Sequence, residues 1–286
     1  MADTGAAPRR RPFDRYGRWL GGAALAVSIA FIGERLWRLD WSTLAPHASW
    51  ALAGSMAAAA LLFAAADRAL ARAWSIVVDP DGRQSRRDMA RIYARGVLMK
   101  YLPGSVFQYV SRQLEGARSG IEHKLLAKSI GVEVGLHLVS SMSVAAACLA
   151  FDRQPIAALL AAGLVVGVSL AARRSLLTAL AFQIVAFGAF ALAAALVGAS
   201  VLPAGTSLAH FAALFLFAWL AGFVVPVSPG GIGVREAALL ALAGAGMPAA
   251  GLMAATLALR GSSIAGDLGY GLATMKQELW KSKTKT

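Results

Sequence analysis

Long apolar runs separated by short polar and basic stretches make up most of this chain. An α-helix of about 20 apolar residues crosses the hydrocarbon core of a bilayer, and several runs approach that length. The pattern therefore predicts an all-α fold, a polytopic bundle of membrane helices. We predict six full spans, at residues 19–33, 50–66, 127–150, 155–172, 175–198 and 249–273.

Two further apolar segments, 96–111 and 209–246, are interrupted by proline and glycine. Proline removes a backbone donor and glycine favours other conformations, so a regular helix should not continue through these sequences. Irregular backbone at membrane depth is tolerated only where it faces protein or a water-filled cavity. We predict a re-entrant or broken helical hairpin in each segment, with the breaks at Pro103 and Gly104 and at Pro229, Gly230, Gly231 and Gly233.

Composition points to the same class of protein. The chain has 286 residues, of which 58% are hydrophobic and 15% are charged, and its mean hydropathy is +0.60. A soluble domain of this size could not bury so much apolar surface. We therefore predict a single integral membrane domain over residues 1–286.

The net charge of +13 is distributed as in a membrane protein rather than a nucleic-acid-binding one. Basic residues cluster beside the apolar runs, as the positive-inside rule expects for cytoplasmic loops, and no stacking motif accompanies them. Anionic membrane lipid is the partner expected near these loops. The distribution predicts the plasma (inner) membrane, with the basic tails 1–18 and 274–286 both in the cytoplasm.

This orientation makes the two broken segments enter the membrane from opposite sides. Segment 96–111 has basic residues on both flanks, so its hairpin opens to the cytoplasm, whereas segment 209–246 opens to the outside. Opposed hairpins are the layout of an inverted-topology repeat, although the two halves match poorly in sequence. A rival layout makes 209–225 and 234–246 separate spans, which would place the basic tail outside or require another change in the topology.

The polar residues beside the breaks are the first candidates for a binding site. Arg235 and Glu236 follow the second break, where a half-helix beginning near Gly233 would attract an anion with its free N–H groups. The Arg235 guanidinium suits phosphate or carboxylate, and Glu236 could bind a cation, carry a proton or pair with Arg235. The first break has similar neighbours, which are Lys100, Gln108 and Arg112.

Two further polar pairs lie inside predicted spans. Arg260 and Asp267 are seven residues apart, and a charge at mid-span costs about 2.5–3.5 kcal/mol, so both should face inward. They could form part of a transport pathway or pair structurally with other helices. Glu133 and His137 are four apart on one face and could form a polar relay; the alternatives are a snorkelling or capping Glu133 and a hydrogen-bonded His137.

Metal, cofactor and catalytic signatures are missing from the sequence. A single cysteine, Cys148, and four scattered histidines give no metal-ligand pattern, so we predict neither a metal nor a cofactor. The run Asp79-Pro80-Asp81-Gly82 is predicted to form a turn. No catalytic motif is recognised, which favours a protein that is not an enzyme.

The motifs around the two breaks resemble those of a known family. Lys100-Tyr-Leu-Pro-Gly-Ser-Val-Phe-Gln-Tyr-Val-Ser-Arg112 and Pro229-Gly-Gly-Ile-Gly-Val-Arg-Glu236 look like motifs of the lysylphosphatidylglycerol synthase transmembrane-region family. The resemblance extends from about residue 10 to 275. It implies a flippase-like lipid translocator and points to a set of positions comprising Pro103, Gly104, Arg112, Pro229, Gly230, Gly231, Gly233 and Glu236. Many relatives carry an acidic residue near position 108, where this chain has Gln108.

Three functions follow as hypotheses. The first is translocation of a membrane lipid, or of another amphiphile with a charged head group, without the soluble domain that the multi-domain synthases use for aminoacyl transfer. The second is an enzyme acting on a lipid, with Glu133, Glu236 or Asp267 as the acid or base. The third is a non-transporting membrane partner of a separate synthase or transferase. A homo-oligomer is compatible with all three.

Overall fold

The computed structural model of the chain describes Trp37 and residues 41–102, 106–171, 175–224 and 233–283. Nine α-helices account for most of these ranges, which contain no β-strand. In chain order they are α1 (Trp50–Val78), α2 (Arg86–Met99), α3 (Phe107–Arg118), α4 (His123–Phe151), α5 (Pro155–Ala171), α6 (Ser175–Val201), α7 (Leu208–Val224), α8 (Val234–Ala243) and α9 (Ala249–Lys283). Short 3₁₀ helices cover Trp41–His47 and Gly244–Gly246.

Three of the helices, α1, α4 and α6, are long and apolar enough to cross a membrane. They contain the predicted spans 50–66, 127–150 and 175–198, and they indicate a membrane protein. Helices α5 and α7 are apolar but have 17 residues each, which is about 26 Å at 1.5 Å per residue. The predicted span 155–172 coincides with α5, the span 249–273 lies within the 35-residue α9, and the span 19–33 lies outside the described residues.

Helix α1 is longer than the apolar run predicted. We expected the span to end at residue 66 and a basic loop to follow, but the helix continues to Val78 and carries Arg68 and Arg72 on it. Alanine-rich sequence favours this extension. The Asp79 carboxylate then closes a turn by accepting hydrogen bonds from the backbone N–H groups of Arg83 at 2.9 Å and Gln84 at 2.7 Å, which confirms the predicted turn. Helix α9 likewise extends ten residues beyond its predicted span.

Helices α1 and α6 form the most extensive helix pair and run antiparallel at the centre of the bundle. Ser200 Oγ lies 3.1 Å from Ser55 Oγ near one end, and the rings of Phe63 and Phe190 are 5.0 Å apart further along. Small buried side chains at Ala59 and Ala66 allow the close approach, as is usual for helices packed in a membrane.

The first predicted hairpin is present as α2 and α3, with the helix interrupted between Met99 and Phe107. The two arms run antiparallel, because Arg95 Nη1 lies 2.6 Å from Glu115 Oε2 and Gly96 packs against Arg112. The arms have 14 and 12 residues, about 21 and 18 Å, so neither is long enough to cross a bilayer core of about 30 Å.

The second predicted break falls between α7, which ends at Val224, and α8, which begins at Val234. Gly233 precedes α8 with a φ of +83°, a left-handed conformation that suits glycine. The remaining break residues that the sequence singled out, which are Pro103, Gly104, Pro229, Gly230 and Gly231, lie outside the described ranges.

The helix contacts of one half of the bundle have counterparts in the other. If α1, α2, α3 and α4 are matched with α6, α7, α8 and α9, contacts within one set recur in the other: α1–α2 with α6–α7, α2–α3 with α7–α8, and α3–α4 with α8–α9. The contacts between the sets match as well, since α2–α9 corresponds to α7–α4 and α1–α9 to α6–α4. Each half therefore consists of a long helix, a helical hairpin and a second long helix.

Replacing Gly266 with alanine is expected to destabilise the bundle by about 1–3 kcal/mol, the usual cost of overpacking. A Cβ at this position on α9 would lie 2.6 Å from the Ala60 carbonyl oxygen and 2.7 Å from Phe63 Cβ, both on α1. Thermal unfolding of the purified protein in detergent measures the effect. Gly131→Ala on α4 is the matched control, because nothing lies within 4 Å of the added methyl group; equal stability of the two variants would contradict the close contact.

Candidate functional site

A cavity of about 250 Å³ lies between the two hairpins and the long helices. The nine polar side chains predicted from the sequence all line it; they are Lys100, Gln108, Arg112, Glu133, His137, Arg235, Glu236, Arg260 and Asp267. Eight of them lie on α3, α4, α8 and α9, and Lys100 directly follows α2. The structure thus places the residues beside both breaks around one space.

The first hairpin contributes a buried ion pair. Arg112 Nη1 on α3 lies 2.9 and 2.8 Å from the two carboxylate oxygens of Glu133 on α4, and both side chains are almost completely buried. The Arg112 guanidinium carbon also lies 4.8 Å from the centre of the Tyr93 ring, within range of a cation–π interaction, and Tyr93 donates a hydrogen bond of 3.3 Å to Glu133. Glu133 therefore neither snorkels nor caps a helix.

The second hairpin contributes an ion pair of reversed polarity. Glu236 Oε1 on α8 lies 2.8 Å from Arg260 Nη2 on α9, and Glu236 Oε2 accepts a hydrogen bond of 2.7 Å from the Gly233 N–H. The carboxylate thus caps the start of α8 and holds α9 at the same time. Of the alternatives for Glu236, the pairing with its neighbour Arg235 is wrong, because a helix places adjacent residues on different faces.

Two buried carboxyl groups meet at one end of the cavity. Asp267 on α9 forms an ion pair of 2.7 Å with Lys100 Nζ and accepts a hydrogen bond from the Tyr101 hydroxyl. Asp67 on α1 lies beside Asp267, and its Oδ2 has no hydrogen-bonding partner among the described residues. The two aspartates are 4% and 3% exposed, so neither is solvated from outside the bundle.

Arg235 differs from the other three basic side chains of the cavity. Lys100, Arg112 and Arg260 each contact a carboxylate, whereas Arg235 makes no ion pair with any acidic residue that the structure describes. Its Nε is shielded from solvent and has no hydrogen-bonding partner there, and its guanidinium lies 5.3 Å from the centre of the Trp219 ring. The side chain therefore presents a fork of donors that an anion could use.

Aromatic rings form one wall of the cavity. His137 is buried with its ring stacked 5.1 Å from Phe223, and Phe223 in turn stacks 5.3 Å from Trp219. Phe187 closes the group from α6, with its ring edge-on to both His137 and Trp219. These ring contacts hold the His137 ring in the wall of the cavity.

In both hairpins, an arginine of the second arm packs against a glycine of the first arm. A Cβ on Gly96 would lie 3.0 Å from Arg112 Cγ, and a Cβ on Gly222 would lie 2.9 Å from Arg235 Nε. The two arginines occupy corresponding places in the matched halves of the bundle. Each glycine leaves room for the arginine side chain to pass between the arms and enter the cavity.

Sequence reasoning missed several residues of the site, which are Asp67, Tyr93, Tyr101, Tyr109 and Trp219. Asp67 is the most consequential of them, because the predicted span stopped one residue before it. Helical spacing could have found it: Phe63 is four residues before Asp67, Trp74 is seven residues after it, and all three side chains are buried.

The site has the chemistry of a charged, partly aromatic binding cavity. Acidic and basic side chains are present in equal number, four of each, if the groups facing the cavity are counted among the described residues. In those same ranges no three His, Cys, Asp or Glu side chains are grouped so that they could hold a metal ion. Comparison of the chain with protein-family models, with curated proteins and with solved structures finds no match in any of the three.

Proposed function

We propose that this protein moves an amphiphile with a charged head group, such as a membrane lipid, from one leaflet of the membrane to the other. The observation that supports this most is the convergence of charged residues from both hairpins on one cavity. Charged side chains are rare within membrane domains and usually serve binding or passage of a solute. The head group would pass through the cavity, and the acyl chains would stay in the bilayer.

The arrangement of the helices supports the same proposal. Matched contacts in the two halves are what an inverted-topology repeat would produce, and transporters of this kind bind their substrates between the repeats. In the proposed orientation the protein lies in the plasma (inner) membrane with both termini in the cytoplasm. The hairpins then enter from opposite sides, and the motifs around their breaks resemble those of the lysylphosphatidylglycerol synthase transmembrane-region family.

Arg235 is the proposed receptor for the anionic part of the head group. It lines the cavity and has no carboxylate partner in the described ranges, so an anion can bind without first breaking an ion pair. The first turn of α8 lies beside it and adds the positive end of a helix dipole. The three ion pairs neutralise most of the other charged side chains of the cavity. A charged head group therefore meets little net charge outside its binding site.

Replacing Arg235 with alanine is expected to slow lipid translocation about 10- to 100-fold, because a hydrogen bond to a charged group contributes about 1.5–3 kcal/mol. The protein would be reconstituted in vesicles that contain a fluorescent lipid with an anionic head group, and quenching from outside would report movement between leaflets. Arg235→Lys should show an intermediate rate, since it keeps the charge but loses the forked donor.

The matched control is Arg153→Ala, which removes an exposed arginine from the turn between α4 and α5. It should translocate lipid at the rate of the unchanged protein. A rate no higher than that of protein-free vesicles would refute the proposed function. Lipids extracted from the same vesicles can be analysed by mass spectrometry. A covalent change in the lipid would favour a lipid-modifying enzyme instead.

A further inference from the structure

The buried aspartates Asp67 and Asp267 form an arrangement that the ion pairs of the cavity do not explain. They lie side by side on α1 and α9, and a single cation, Lys100, contacts them, through Asp267. Arg235 is close enough to interact electrostatically with Asp267, but it makes no ion pair with either aspartate. If both carboxyl groups were ionised, this buried site would carry one more negative charge than its lysine offsets.

Two adjacent carboxylates in a site shielded from water do not both stay ionised. The repulsion is removed when one of them holds a proton, and the protonated group can then donate a hydrogen bond to its neighbour. Asp267 is the ionised member, because it has the lysine at 2.7 Å and also accepts a hydrogen bond from Tyr101. Asp67 is the protonated member, since its Oδ2 has no donor to accept from in the described part of the chain.

We propose that Asp67 and Asp267 form a proton-binding site in the wall of the cavity, with one proton shared between them in this conformation. The proton leaves Asp67 for cavity water when Lys100 moves within reach of both carboxylates, or when water enters and solvates them. Its return regenerates the neutral carboxyl group. Proton binding by the two aspartates does not depend on the proposed function. A coupling between proton binding and lipid translocation does rest on the proposed function.

The surroundings of Asp67 contain other groups that bear on its protonation. Tyr270 and Asp267 face it from α9, and Tyr93 faces it from α2. Lys100 and Tyr101 approach from the end of α2. The tyrosines are neutral hydrogen-bonding groups near pH 7. The lysine is therefore the only cation contributed by these facing residues, and it is shared with Asp267.

Infrared spectroscopy of the full-length protein in membranes tests the site directly. A protonated carboxyl group gives a C=O band that is distinct from the carboxylate band, and this band shifts in D₂O. The unchanged protein should show the band near neutral pH and lose it as the pH is raised. Asp67→Asn should abolish the band, because it removes the protonated carboxyl group and leaves Asp267 in its ion pair with Lys100.

Asp152→Asn is the matched control, since this exposed aspartate at the end of α4 accepts a hydrogen bond from Ser207 and lies apart from the cavity residues. It should leave the band in place, and the amide bands should show that every variant keeps its helices. A band that persists in Asp67→Asn would overturn the proposal. So would a band that is missing from the unchanged protein, or one that sodium ions remove at constant pH.

The vesicle assay separates this proposal from the proposed function. With a pH gradient across the vesicle membrane, the translocation rate of the unchanged protein should respond to the direction of the gradient, and that of Asp67→Asn should not. A band that behaves as expected in a protein that moves no lipid would leave the proton site standing and refute translocation. Lipid translocation by a protein that lacks the band would support the proposed function and refute the proton-binding site.

Discussion

Replacement of Arg112 with alanine is expected to lower the free energy of unfolding by about 3–5 kcal/mol, the usual cost of removing one partner from a buried ion pair. Glu133 is 5% exposed and, among the residues that the structure describes, would keep only the Tyr93 hydroxyl at 3.3 Å as a hydrogen-bonding partner of its carboxylate. Its charge would have to be neutralised or solvated inside the bundle. Unfolding of the purified protein in detergent, followed by circular dichroism, measures the loss.

A double-mutant cycle distinguishes a specific ion pair from general disruption of packing. The single variants of the cycle are Arg112→Met and Glu133→Leu. Each should be about as harmful as Arg112→Ala, because each leaves one charge buried without its partner. The double variant Arg112→Met/Glu133→Leu should recover most of the stability, since two apolar side chains of similar volume leave no buried charge. Additive losses in the double variant would contradict the assigned pairing.

Replacement of Phe187 with alanine is expected to cost about 3 kcal/mol, toward the lower end of the range for Phe→Ala in a protein core. The ring is completely buried and lies against His137, Phe190 and Trp219. Lipid tails solvate a phenyl ring almost as well as a protein core does, so the transfer contribution is small and the cavity left behind dominates the loss.

The same unfolding measurement applies, and it has a control on the outside of the bundle. Leu160→Ala removes a side chain on α5 that is 68% exposed, and it should change the free energy of unfolding by less than about 0.5 kcal/mol. If Phe187→Ala were no more destabilising than Leu160→Ala, the aromatic wall could not be a packed part of the core.

The convergence of the charged residues could be predicted from the sequence because the membrane restricts where charge can lie. Lys100, Arg112, Arg235, Arg260 and Asp267 are each embedded in or next to apolar sequence, and lipid would not solvate them. These side chains were therefore expected to face the interior of the bundle. The interior of a bundle of this size is small, so they were also expected to lie close together. The all-α architecture followed from the same apolar runs.

The partner of each charge could not be predicted in the same way. Glu236 pairs with Arg260 rather than Arg235, and this depends on the distance between α8 and α9, which no local pattern encodes. Asp67 was assigned to a loop because hydropathy falls where a polar face begins, even when the helix itself continues. Helix propensity and burial acted together there, while the apolar run alone marked only the first part of α1.

The interruption of the helices was predicted for a sound physical reason, and its extent was not. Proline and glycine indicated a break near residue 103, and the helix is interrupted between Met99 and Phe107. The arms around it reach far beyond the apolar segment 96–111, because polar side chains such as Arg95 and Glu115 pair across the hairpin. Helices that are stabilised by such polar contacts cannot be predicted from apolar content alone.

The size of the cavity limits what the protein can discriminate. A cavity of about 250 Å³ with eight charged side chains in its wall favours a polar group over two hydrocarbon tails, because apolar chains would leave those charges without hydrogen-bonding partners. Under the proposed function, lipids that share a head group but differ in tail length or unsaturation would compete on equal terms. When two such lipids compete at a fixed total concentration, each should be translocated in proportion to its share of the mixture, whatever its acyl chains.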